Sequence, residues 1–159
     1  TAEKLYLGDV VTPLGLLRFF GDARGMEPAR LRDRIEAVTA LLSLQKVLEK
    51  PIHKLSKGYR QRCGMAQALL HEPDVLIMDE PTSGLDPNQI RDVRHTIREL
   101  GKSKTILLST HILQEVEAVA DRVVFIHAGA IVFDGTPAEM RAKGPSLDEV
   151  FHQLTGATG

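Results

Sequence analysis

The stretch VLIMDEPTSGLDP, Val75 to Pro87, constrains this chain more than any other part of it. Four apolar residues predict a strand, which ends in two adjacent carboxylates, Asp79 and Glu80, and then meets Pro81, Gly84 and Pro87. Ionised groups at the end of a buried strand are costly unless something cationic neutralises them. In an open parallel sheet, ligands bind at the carboxyl ends of the strands, which is where this pair falls. An Asp in that place can hold magnesium, usually through water because the ion dehydrates reluctantly, while the neighbouring Glu polarises an attacking water. The plainer reading makes both carboxylates N-terminal charges of the next helix.

The surrounding pattern falls into three parts. Residues 1–72 read as a helical subdomain: Thr12 and Pro13 supply an N-cap and a first-turn proline, and Leu31, Ile35, Val38 and Leu42 recur at helical spacing. Residues 73–144 alternate: strand VLIM, a helix from Asn88 to Leu100, strand TILLS, a helix from Ile112 to Ala120, then RVVFIH and AIVFD around a short Ala128-Gly129 turn. Such alternation predicts an α/β fold with a mostly parallel sheet covered by helices. Residues 145–159 read as a C-terminal helix. Three helix starts carry the residues of a capping box, Asp86 with Gln89, Thr136 with Glu139 and Ser146 with Glu149.

Composition excludes several function classes. The 159 residues are 43% hydrophobic and 26% charged, enough for one core, and the net charge of -1 exerts no global pull on nucleic acid or anionic lipid. The single cysteine, Cys63, excludes an intramolecular disulfide and a cysteine zinc cluster. No apolar run approaches the ~20 residues of a membrane span, and the opening TAEKLYLGDV has no signal-peptide pattern.

Two further pieces point to an anion. In LSKGYRQR, Leu55 to Arg62, Ser56 is a good N-cap, Gly58 allows a ligand near the backbone, and the following helix offers free amides at its positive end. Read alone, it is an ordinary capped helix whose Cys63, Ala66 and Leu70 face a core. In LLSTHI, His111 follows a strand at the same carboxyl edge and could bind phosphate or position water. His53, His71, His95, His127 and His152 have no such setting and read as surface or structural.

In this order and spacing, the pieces resemble the ATP-binding cassette (ABC) ATPases over nearly the whole chain. LSKGY, comprising Leu55, Ser56, Lys57, Gly58 and Tyr59, is similar to the signature motif; VLIMDE to the Walker B strand; Ser83, Gly84, Leu85 and Asp86 to the D-loop; His111 to the switch histidine. Lys57 and Tyr59 depart from the common LSGGQ wording in a way familiar in one subgroup. The longer wording and the ending SLDEVFHQLTG resemble the nucleotide-binding subunits of bacterial export systems, including multidrug and gliding-motility transporters. The resemblance implies a partial P-loop NTPase fold with a helical subdomain, and ATP and Mg2+ as ligands. It makes Asp79 the magnesium residue, through water, Glu80 the base and His111 the switch histidine. It implies a head-to-tail dimer with a second nucleotide-binding domain, in which signature and D-loop address the partner's ATP. It also implies a transmembrane permease subunit that holds the protein at the inner face of the plasma membrane, and no nucleic-acid partner.

One element of that family is missing from these residues. GxxxxGK[ST] occurs nowhere; Gly101-Lys102-Ser103 is a decoy, since Thr96 stands where the leading glycine belongs. The chain therefore reads as the C-terminal two thirds of a nucleotide-binding domain, with the Q-loop glutamine expected upstream of Thr1, and the piece alone is expected to be inactive. Two alternatives remain: an ABC-type ATPase of DNA repair or chromosome organisation, and a non-enzymatic interaction fragment. The short interval from Ser56 to Asp79, without heptads or cysteine pairs, argues against the first.

Overall fold

The structure is a computed structural model that describes residues 11–144 and 146–156, with the side chains of residues 147 and 148 outside the description. The first ten residues of the expected helical subdomain and the last three of the chain lie outside it as well. The chain divides into two compact units, Thr1–Leu107 and Leu108–Gly159, the division falling within a strand.

In the first unit, Thr12 Oγ1 accepts from Gly15 N at 3.1 Å and starts α1 (Pro13–Ala23), as the Thr-Pro pair predicts. Glu27 caps α2 (Pro28–Leu41), and Leu31, Ile35, Val38 and Leu42 are all buried, so the helical periodicity marks a packed face. Two 3-10 turns, Gln45–Val47 and Ile52–Lys54, lead to α3 (Lys57–Leu69), which packs with α1 and α2 around Leu17, Leu44, Ala66 and Leu69. The end of α3 is held from α2. Arg34 donates to the carbonyls of Leu70 at 3.2 Å and Leu69 at 3.1 Å and pairs with Glu72, which also receives Arg30. This clamp caps α3 where the chain turns into the next strand.

Strand β1 (Val75–Asp79) is the hydrogen-bonded neighbour of β2 (Thr105–Ser109), joined through α4 (Pro87–Gly101). Val93, Ile97 and Leu100 of α4 are buried. The expectation of a buried strand needs correction. β1 alternates, with Leu76 and Met78 inside but Val75 56% and Ile77 76% exposed, and Leu107 of β2 is 61% exposed. A continuous apolar run is equally compatible with burial on one face or two, and here one face is bare.

In the second unit, α5 (Leu113–Val119) precedes β3 (Val123–His127) and β4 (Ala130–Gly135), which form the expected antiparallel hairpin. Ala128 and Gly129 both have positive φ, the geometry a two-residue hairpin turn demands. Phe125 lies opposite Phe133, and the register slips between Phe125 and Ile126. Val123, Phe125 and Phe133 pack with Met140 of α6 (Pro137–Arg141) and Val150 of α7 (Leu147–Thr155). Of the three expected capping boxes, the one at Thr136 closes reciprocally with Glu139, while Ser146 caps through Glu149 N at 3.2 Å.

Candidate functional site

The N-terminus of α3 forms as its sequence dictates. Ser56, in extended conformation, accepts from Tyr59 N at 3.4 Å, and the first helical bond runs from Arg60 N to Ser56 O at 3.0 Å. The amides of Lys57 and Gly58 precede that first bond, so the positive end of a 13-residue helix is built around Ser56. Ser56 and Lys57 are exposed, Tyr59 is half-buried beneath the Arg62 guanidinium, and Gly58 is buried. Leu55 is a core residue at 5% exposure, and its carbonyl accepts from Arg60. Its contribution to the motif is to anchor it from below.

At the end of β1, Asp79 is exposed and Glu80 half-buried. Glu80 has φ 47, the left-handed region that a non-glycine residue rarely enters, so the chain turns sharply off the strand at the second carboxylate. Two turns follow, Ser83 N to Glu80 O at 3.1 Å and Leu85 N to Thr82 O at 3.2 Å. Thr82, 1% exposed, roots this loop, Ser83 and Leu85 are half-buried, and Gly84 is exposed at φ 68. Asp86 Oδ1 then accepts from Asn88 N and Gln89 N, both at 3.0 Å, and begins α4. The Asp86 carboxylate is thus a helix cap.

The structure brings Lys57 and Gly58 together with Gly84 and Gln89 within the first unit. Lys57 lies over Gly84: a side chain there would collide with its ammonium. The Gln89 carboxamide covers Gly58, with Oε1 2.5 Å from where a Cβ would stand. One turn further along both helices, Arg62 Nη2 meets Asp92 Oδ2 at 2.9 Å. Gln89 therefore faces Gly58 and not the amide of Asp86, which corrects its expected capping-box role. Sequence reasoning saw it only as the residue three after a cap, and nothing local marks the contact. His111 belongs to the second unit, exposed in the turn between β2 and α5, where Thr110 Oγ1 accepts from Ile112 N at 3.1 Å. The other five histidines are exposed.

For a magnesium ion these residues offer the Asp79 carboxylate. Among the described residues, no three or more His, Cys, Asp or Glu side chains gather as a metal cluster. The single exposed carboxylate of Asp79 suits an ion whose remaining ligands are phosphate and water, which is how Mg2+ is commonly held. Because Asp79 is exposed, burial cost alone does not require a cation there.

A helix N-terminus clasped to a loop that leaves a two-carboxylate strand end defines part of an ABC-type ATPase domain, and the comparisons agree. The ABC transporter family pattern matches residues 9–83. The ABC transporter ATP-binding protein NatA of Bacillus subtilis (strain 168) is 36% identical over 130 residues, covering 81% of this chain and 53% of that protein. The bacitracin transport ATP-binding protein BcrA of Bacillus licheniformis is 44% identical over 103 residues, 64% of this chain and 34% of that one. A solved structure of the ATP-binding subunit of an ABC transporter superposes with a TM-score of 0.79 at 34% identity, covering 96% of this chain and 66% of its own. The chain belongs to the ABC transporter ATP-binding family. It spans about half or less of the length of these two curated relatives.

Proposed function

We propose that this chain is the later part of the ATP-binding and ATP-hydrolysing subunit of an ABC transporter that drives export through a membrane permease subunit. The observation that carries this reading is the clasp between signature and D-loop, Lys57 on Gly84 and Gln89 on Gly58, beside the Asp79-Glu80 strand end. The kinship with NatA and with a bacitracin transport protein supports a transport role. In this reading Glu80 takes the proton of the water attacking the terminal phosphate, its turn off β1 setting the carboxylate beyond the strand. Asp79 would hold Mg2+ through water, and the ion would supply charge neutralisation on the phosphates. His111 is assigned the part of binding phosphate or positioning water. Ser56 and the first-turn amides of α3 receive the terminal phosphate of ATP held by a second copy, and Ser83 to Asp86 line the same dimer seam. The subunit sits at the inner face of the plasma membrane through its permease and engages no nucleic acid. Among the described residues, no helix is long and apolar enough to cross a membrane.

Glu80→Gln in a full-length subunit carrying this chain tests the assignment. The amide keeps shape and loses basicity, so ATP binding persists while turnover falls about 10²- to 10⁴-fold. Hydrolysis near the wild-type rate would remove Glu80 from the catalytic role.

A further inference from the structure

Gly58 has a close neighbour within this chain, the Gln89 carboxamide. A Cβ there would lie 2.5 Å from Gln89 Oε1 and 2.7 Å from its Cδ, inside contact distance, so the carboxamide occupies the space that a side chain would need. The Gln89 backbone is itself fixed, since its N–H is one of the two that Asp86 caps. Lys57 reaches the other way, its Cε and Cδ 3.4 and 3.5 Å from the Cβ position of Gly84. The Arg62–Asp92 pair continues the same seam one turn on. Two consecutive residues of the signature loop thus each lie against the segment that carries the D-loop.

We propose that Gln89 is a positioning residue: its carboxamide, lying over Gly58, fastens the signature loop to the D-loop within one chain, so that both meet a partner's nucleotide as one rigid surface. This rests on the functional reading above, in which both segments address the ATP of a second copy. Packing carries the role, because the carboxamide fills the space over Gly58 between the starts of α3 and α4. Without it, the first-turn amides of α3 lose their fixed placement relative to Gly84. A small displacement of a group that stabilises a transition state costs rate far more than it costs binding.

Turnover by a full-length subunit carrying this chain provides the test, with kcat and KM for ATP measured for wild type, Gln89→Ala and Gln89→Met. Gln89→Ala lowers kcat about tenfold at unchanged KM, and Gln89→Met, unbranched and of similar length, restores most of the loss. Wild-type kcat in Gln89→Ala, or an equal loss in both variants, overturns the proposal. Thermal unfolding of the same protein reads the contact independently of activity. Gly58→Ala affects Tm less favourably in the wild-type background than beside Gln89→Ala, where the obstructing carboxamide is gone; strictly additive effects show that no such contact exists. Undiminished turnover in Glu80→Gln would instead overturn the functional reading, and with it this role for Gln89, while leaving the Tm cycle to report the packing.

Discussion

Ser56 combines two duties that a single substitution separates. It caps α3 through Tyr59 N, and it stands exposed at the positive end of that helix. Ser56→Arg removes a cap worth about 1 kcal/mol and places a bulky cation where a partner's phosphate is proposed to enter. In a full-length subunit, ATP-driven dimerisation measured by sedimentation is lost, while calorimetry still detects ATP on the monomer. Equal loss of binding by the monomer would show that Ser56 serves its own chain's nucleotide. Cys63 is the opposite kind of residue. It is buried in α3, and burial pushes its thiol from 9.0 up to about 11. At pH 8 roughly one thiol in a thousand is then ionised, so a thiol-specific reagent labels the native protein slowly and the unfolded protein fast. The unfolded thiol gives up its proton first. This contribution to stability is therefore whole below about pH 9 and is lost as pH rises towards about 11. Fast labelling of native protein at pH 8 would contradict the burial.

Helix α3 is fastened at both ends, by Ser56 at its start and by Arg34 at its finish. Arg34→Ala strips two carbonyls of their donor and leaves Glu72 with Arg30 alone. The Arg34 side chain is only 22% exposed, so the loss is about 1–3 kcal/mol, seen as a fall in Tm of several degrees. Arg30 and Arg34 hold the Glu72 carboxyl below its usual range. Its folded pKa is depressed, so its contribution is present above the unfolded value and is lost as pH falls through the folded one. The wild-type advantage over Arg34→Ala therefore shrinks in acid; an advantage constant with pH would show that Glu72 takes no part. Elements of this kind mark what the sequence discloses. Caps, first-turn prolines and the Ala128-Gly129 turn are local chemistry, and α1, α4, α6 and the hairpin stand where those residues place them. The Arg34 clamp and the contact of Gln89 with Gly58 join distant segments, which no local pattern encodes, and no residue type announces the left-handed turn at Glu80.

At the scale of the whole molecule, the family was legible in order and spacing, but the bare sheet face was not. Val75, Ile77 and Leu107 together expose an apolar surface of a kind that folded domains ordinarily cover. GxxxxGK[ST] does not occur in these residues, and in the function proposed above they hold one side of a nucleotide site. Tight binding of a nucleoside triphosphate in P-loop proteins rests on a run of backbone amides and a lysine around the phosphates, with a hydroxyl on magnesium. Asp79 and Glu80 supply only negative charge, and the positive end of α3 is proposed to serve another chain's phosphate. Two carboxylates beside a triphosphate repel it unless that cradle compensates. Magnesium bridges them weakly, since it favours carboxylates together with phosphates already held in place. The 159-residue chain alone is therefore expected to bind MgATP no better than millimolar and to release no phosphate. Titration of the purified chain with MgATP and a phosphate-release assay check this. Micromolar affinity, or turnover that disappears in Glu80→Gln, would mean that these residues assemble a complete site by themselves.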